Sequence, residues 1–212
     1  RQIKIAGKTV SAFRISYVGE QGWELHMRYE DGLAVWDALR GIGVLAVGVE
    51  TYANSRRLEK SLRLQNADLH TQYNLLEADL ARPKVKEADF RGKAKHVEYR
   101  ERDHQPAMLC TLIMTDNVDA SGVARYPVGR LPVMDPETGK TLIDELGRRS
   151  FTTSIAFGPS IGKNIALAYL PWDYCQEGRR LNVSYMDEIY PVEVYGIGYK
   201  PIYDPENLKP RS

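Results

Sequence analysis

Ser16-Tyr-Val-Gly-Glu-Gln-Gly-Trp-Glu-Leu25 is a turn built on two glycines, and the stretches on either side of it decide the fold. From Lys8 to Met27 the chain carries strand-like alternation that Gly19 and Gly22 interrupt, which predicts a hairpin-like pair turning between Ile15 and Glu24. Downstream, Leu33, Trp36 and Leu39 recur at helical spacing and Gly41 supplies a stop, so a short amphipathic helix is expected from Asp31. The apolar stretch Ile42 to Val49 reads as strand-like, and Glu50 to Lys60, free of Gly and Pro, as a second helix. Strand, strand, helix, strand, helix in that order predicts an α+β domain, a ferredoxin-like antiparallel sheet with helices on one side.

Beyond this the character changes. Between Pro83 and Gln105 lie Lys84, Lys86, Arg91, Lys93, Lys95, Arg100 and Arg102, which read as a solvated connector. From Ala107 onward short β-rich runs (108–114, 132–134, 164–170, 180–185 and 190–197) alternate with Gly, Pro and Asp turns, the pattern of an all-β barrel or sandwich. Two domains follow, 1–105 and 106–212, with Ile165, Leu167, Tyr169, Val183, Val192 and Val194 expected in the barrel core by alternation. The chain opens on Arg1-Gln-Ile-Lys-Ile without Met, already strand-like, so an amino-terminal truncation, a proteolytic product or a separately encoded half is expected.

The 212 residues are 43% hydrophobic and 27% charged, proportions of an ordinary globule, and 29 basic against 28 acidic side chains give no field that would recruit nucleic acid or an acidic membrane. No apolar run is long enough to span a bilayer. Cys110 and Cys175 lack the spacing of a zinc site or a disulfide framework, and free thiols suit a bacterial cytoplasm or a mitochondrial matrix. Gly196-Ile-Gly198 lacks a third glycine, no phosphate-cradling loop is present, and none of the four histidines has ligand spacing. What remains is the opening turn, where Tyr17, Glu20, Trp23 and Glu24 could grip a flat heterocycle, the ring by stacking and a carboxylate by accepting paired N–H donors. Taken alone, the pattern reads first as a structural turn.

Several stretches together resemble the glycine-cleavage T-protein (aminomethyltransferase) family. Tyr17-Val-Gly-Glu-Gln-Gly-Trp-Glu24 is similar to its Tyr-Thr-Gly-Glu-Asp-Gly-x-Glu signature. Ser55-Arg-Arg-Leu-Glu-Lys60, Leu75-Leu-Glu-Ala-Asp-Leu80, Asp89-Phe-Arg-Gly-Lys-Ala94 and Thr152 to Pro171 resemble further family segments in the same order. Within the family, Tyr17-Val-Gly-Glu20 with Trp23-Glu-Leu-His26 and Arg57-Leu-Glu-Lys60 resemble the flavin-linked dimethylglycine and sarcosine dehydrogenases, and the tail Lys200-Pro-Ile-Tyr-Asp-Pro-Glu-Asn207 resembles the ending of the sarcosine dehydrogenases.

The resemblance implies a partial clover-leaf fold and a tetrahydrofolate-dependent one-carbon (aminomethyl or methylene) transfer module. It would form the carboxy-terminal portion of a flavin-linked dehydrogenase of methylated amines, with FAD only in a separate upstream domain. Partners would be a folate, a methylated amine and a missing amino-terminal half or flavoprotein domain, with neither nucleic acid nor membrane. By position, Tyr17 would line the pterin pocket and Glu24 would accept from the pterin's amino-pyrimidine edge. A family arginine falls at Ala53, so that contact is absent or supplied elsewhere, with Arg56 as the candidate, and Tyr203 is the candidate for an aromatic folate contact near the carboxy terminus. Lys163, Arg148 and Arg149 are candidates for the folate's glutamate tail or, equally, a solvated barrel rim. The family's catalytic aspartate belongs upstream of Arg1. A stand-alone aminomethyltransferase, a folate-dependent demethylase and a non-catalytic folate-binding or structural module are the alternatives.

Overall fold

The computed structural model describes residues 1–206 and 208, so Asn207 of the tail pattern lies outside the described residues. Strands β1 (Gln2–Ile5) and β2 (Lys8–Phe13) form a hairpin whose two-residue turn, Ala6-Gly7, has both φ angles positive, the geometry that follows the natural strand twist. β3 (Glu24–His26) pairs antiparallel with β2, Ser11 opposite His26 and Phe13 opposite Glu24, so the two-glycine segment is the β2–β3 connection. Helix α1 (Gly32–Gly41) follows, and its buried side chain is Val35. The predicted stripe is turned the other way, with Leu33 71% and Trp36 52% exposed. Residues 42–49 form no strand: no neighbour offers them a ladder, and Ile42, Leu45, Val47 and Val49 all stand in solvent.

Helix α2 starts as π-helical turns (Thr51–Arg56) and ends α-helical (Arg57–Glu59). The charged connector folds locally into α3 (Lys93–Arg100). The remaining strands, β4 (Ala107–Met114), β5 (Val133–Met134), β6 (Thr152–Gly158), β7 (Lys163–Pro171), β8 (Arg180–Tyr185) and β9 (Glu188–Ile197), run in the order β5-β8-β9-β4-β7-β6, every pair antiparallel. The two edges then meet. Pro132 bridges Phe151, Val133 N–H donates to Ser150 O at 3.1 Å, and Thr152 N–H to Leu131 O at 2.8 Å. The sheet thus curls into a barrel and leaves little unpaired edge.

Alternation along the central strands feeds two cores. Ala166, Ala168 and Leu170 of β7 point inward with Cys110, Leu112, Val183, Val192 and Val194. Ile165, Leu167 and Tyr169 point outward and are covered by Leu58 of α2 and Ala78. Every core residue expected from alternation is buried, but half of them lie beneath the 57–80 segment rather than inside the barrel. β6 was hidden in the sequence by its polar Thr152-Thr-Ser154 start. Those hydroxyls are buried because they have partners: Thr152 accepts from Leu131 N–H at 2.9 Å, while Thr153 and Ser154 donate to Asp68 at 2.5 and 2.7 Å.

Asp68 belongs to a network without solvent. Arg57 and Asp68 are both fully buried and pair at 2.6 Å. Arg57 also donates to Ala53 O, Leu62 O and Ser154 Oγ, while Asp68 accepts from Leu64 N–H and its carbonyl accepts from the Tyr169 hydroxyl. Next to this network Tyr73 stacks on Tyr169 at 3.6 Å between ring centroids, Arg148 lies over the far face of Tyr73, and His70 meets both rings edge-on. Burial pushes the Tyr73 phenol up to about 12 and lowers His70, whose Nε2 is buried without a partner.

Arg57→Met should cost about 3–5 kcal/mol in urea unfolding because it strands the Asp68 carboxylate, whereas pairing it with Asp68→Leu should recover a large part of that loss; a single substitution costing under about 1 kcal/mol would remove the pair's structural role. The His70 ring proton should titrate in NMR below its ordinary 6.5. Since the folded chain resists protonation there, the stability it contributes is present above that value and lost as pH falls, and His70→Phe should flatten that part of the pH dependence.

Candidate functional site

The β2–β3 connection is anchored from behind by α2 and by the carboxy-terminal tail. Gly19 has φ +71°, and a Cβ there would collide with the Lys60 side chain, which runs beneath it. Lys60, 2% exposed, donates from Nζ to Asp204 O at 2.7 Å and reaches its carboxylate at 3.3 Å. Ser16 Oγ accepts from Val18 and Glu20 N–H, holding the turn's shape. Glycine at 19 therefore serves close approach as well as a left-handed backbone.

Arg56 is the organiser on the other side. Its guanidinium donates to Glu59 at 2.8 Å, to Ser160 Oγ at 2.6 Å and to Glu20 of the turn, and lies over the Tyr203 ring at 5.2 Å. The Glu59 carboxylate, fully buried, also accepts from Ser160 N–H at 2.6 Å, and its carbonyl accepts from the N–H groups of Ile202 and Tyr203. One turn of helix thus ties the opening turn, the β6–β7 loop and the tail together.

Of the four predicted site residues, Arg56 and Tyr203 are in direct contact. Tyr17 sits deeper: its hydroxyl donates to Arg63 O at 2.8 Å, its ring faces Tyr52 at 5.7 Å, and burial raises its phenol above the usual range. Glu24 opens β3 on the outer side of the turn, where His26 Nε2 lies 3.3 Å from its carboxylate, 42% of which is exposed. Ala53 acts through its backbone, as the acceptor for Arg57 Nε at 2.6 Å.

Two hollows adjoin this framework. One of about 280 Å³ is walled by the turn itself (Ser16, Gly19, Glu20, Gly22) with Lys60 and Tyr199; Glu24 lies outside it. A larger cleft of about 930 Å³ opens between the 65–82 segment and α3, with Tyr73, Tyr169 and Phe90 as apolar wall and Lys84, Lys86 and Lys95 among its cations. Among the described residues no carboxylate lines it. Sequence reasoning missed this cleft because the connector's cations were read as solvated; their crowding opposite His70-x-x-Tyr73 was the available signal. Arg148 is neither a rim residue nor free for a ligand tail. It is held by Glu77 and, at 2.6 Å, by Asp144, and its side chain is 12% exposed. Among the described residues no cluster of His, Cys, Asp or Glu could hold a metal ion, and no helix is long and apolar enough to cross a membrane.

Comparison with known proteins agrees along the chain. The GCVT N-terminal domain pattern matches residues 1–85, and the glycine cleavage T-protein C-terminal barrel domain matches residues 131–204. The mitochondrial dimethylglycine dehydrogenase of Homo sapiens is 32% identical over 200 residues, 92% of this chain but 21% of that protein. An aminomethyltransferase of Exiguobacterium sibiricum is 31% identical over 198 residues, covering 92% of this chain and 47% of its own length. In three dimensions the chain superposes on the glycine cleavage system aminomethyltransferase T from Bartonella henselae with a TM-score of 0.74 over 93% of this chain and 50% of that one, at 22% identity, a likeness of fold. This chain therefore spans about half the length of the aminomethyltransferases it matches and about a fifth of the dehydrogenase. With both domain patterns matched and the fold shared, the chain belongs to the glycine-cleavage T-protein (aminomethyltransferase) family.

Proposed function

We propose that this chain is the later, folate-holding part of a tetrahydrofolate-dependent one-carbon transferase, joined in the complete enzyme to a region that supplies the catalytic aspartate and, as in a dimethylglycine dehydrogenase-like protein, to a flavin domain. The 105/106 division belongs to the same proposal, with residues 1–105 presenting the pterin site and 106–212 supporting it from the barrel.

The observation that carries the reading is the state of Glu24. Arg57, Glu59, Asp68 and Glu77 of the neighbouring framework are buried and internally paired, and Glu20 is engaged by Arg56. Glu24 keeps solvent access on a strand that the turn and Tyr17 hold in place. The residues fit a reduced pteridine: a carboxylate accepts the adjacent N–H groups of an amino-pyrimidine, and the half-buried Tyr17 ring supplies a flat wall. Arg56 is assigned to the same ligand through its contact with Glu20 of the turn, and Tyr203 through its ring beneath the Arg56 guanidinium. The cationic cleft, without a carboxylate of its own, offers the complement for a folate's glutamyl carboxylates. Bound tetrahydrofolate supplies the nitrogen atoms that receive the one-carbon unit. The residues of this chain bind and orient it, and the proton chemistry of transfer belongs to the upstream aspartate.

Trp23, 57% exposed beside Glu24, gives the readout. Titrating folinic acid into the complete polypeptide should quench or shift its fluorescence, and Glu24→Gln should weaken binding about 10- to 100-fold, the worth of a hydrogen bond to a charged group. Unchanged affinity in that variant would remove Glu24 from the site, and no binding at all would favour a structural module. The isolated chain should show little methylene transfer; full transfer without added polypeptide would contradict the division of labour proposed above.

A further inference from the structure

We propose that Cys110 and Cys175 form a peroxide-oxidisable thiol pair, with Cys175 as the attacking sulfur and Cys110 as the resolving one, closing a reversible disulfide between β4 and the turn that follows β7. The two residues are 65 positions apart in sequence, yet their sulfurs are 3.8 Å apart, both as free thiols. β4 and β7 are paired from Ala107 opposite Pro171 to Ile113 opposite Ile165, with Cys110 opposite Ala168. The single helical turn Trp172–Tyr174 after β7 then brings the Cys175 sulfur back to Cys110 in the middle of β4.

The asymmetry of the pair assigns the roles. Cys110 is fully buried in the barrel core, whereas Cys175 is half-buried and closer to solvent. The Cys110 S–H donates to the Cys175 sulfur, which favours a thiolate at Cys175 and raises the Cys110 thiol. A small oxidant therefore meets the more reactive sulfur first. With no third ligand beside them, the pair is not a metal site among the described residues.

The chemistry balances with hydrogen peroxide as the oxidant. The Cys175 thiolate attacks one peroxide oxygen, the O–O bond breaks, and hydroxide leaves to become water, giving a sulfenic acid. The Cys110 sulfur then attacks the Cys175 sulfur, the S–O bond breaks, and the departing hydroxide takes the Cys110 proton as a second water. Two electrons pass from the thiol pair to one peroxide. A disulfide needs sulfurs about 2.0 Å apart, so they must approach by under about 2 Å. The movement falls on Cys175, which sits in irregular backbone held by a hydrogen bond from its N–H to Trp172 O, rather than on the sheet.

Closure would fasten the turn at Trp172, whose N–H donates to Pro106 O and whose ring stacks on His104 at 5.5 Å, to the strand that begins the barrel. The bond would thus staple the junction between connector and barrel, independently of any folate. The test is non-reducing peptide mapping of the chain after treatment with stoichiometric hydrogen peroxide. The expected result is one cross-linked peptide pair holding Cys110 and Cys175, lighter by two hydrogens, reversed by dithiothreitol and accompanied by a rise in Tm. In Cys110→Ser, or Cys110→Ala if the serine variant folds poorly, a dimedone adduct should accumulate on Cys175, and in Cys175→Ser no adduct should form on Cys110. Irreversible sulfinic acid without a cross-link in the wild type, or no adduct on Cys175 in both Cys110 variants, would overturn the proposal.

Discussion

A guanidinium and a carboxylate with no access to water face each other where α2, the 64–80 segment and the barrel meet, and the rest of the structure is arranged around their needs. Desolvating both charges is tolerable only if every remaining donor and acceptor is met. The groups that meet them come from far apart: the Ala53 and Leu62 carbonyls, the Leu64 N–H, and the Thr153 and Ser154 hydroxyls of β6. Satisfying Arg57 and Asp68 therefore fixes the helix, the loop after it and the barrel strand in one register. That constraint also explains why a polar Thr-Thr-Ser run can serve as a buried strand.

Helix geometry carries the consequence outward. With Arg57 turned into the barrel, Arg56 and Glu59 project toward the tail and the β6–β7 loop, and Lys60 passes under Gly19. The turn that presents Tyr17 and Glu24 is thereby held by Arg56, which Glu59 fixes in turn, and by Lys60 just past the helix, rather than by a core of its own. The amino-terminal sheet and α1 bury little beyond Val10, Ala12 and Val35, and Leu33, Trp36, Leu45 and Val49 remain bare. The precision of the turn comes from the junction behind it.

The architecture was legible where period and turn chemistry agree. The hairpin, both helices flanking residue 45 and most barrel strands follow from alternation and glycine placement, and the ordered series of family-like segments pointed to the turn. Burial on both faces of β7 was not legible, because alternation says which residues share a face but not what covers the second one. Residues 42–49 failed as a strand since an apolar composition cannot supply a pairing partner. In the site, the Arg56–Tyr203 contact was anticipated as two separate residues, while Lys60, Glu59 and the cationic cleft needed three-dimensional placement. Charge in a sequence reads as solvent-facing, and here much of it is locked inside.

The half-exposed carboxylate on the first residue of β3 is the group proposed to recognise a reduced pteridine. A crystal structure of the complete polypeptide with bound folinic acid tests it most directly. The pterin's amino-pyrimidine N–H groups should lie within hydrogen-bonding distance of Glu24 with the Tyr17 ring against the heterocycle; a pterin seated instead in the cleft beside α3, with Glu24 still turned to His26, would overturn the assignment of Glu24.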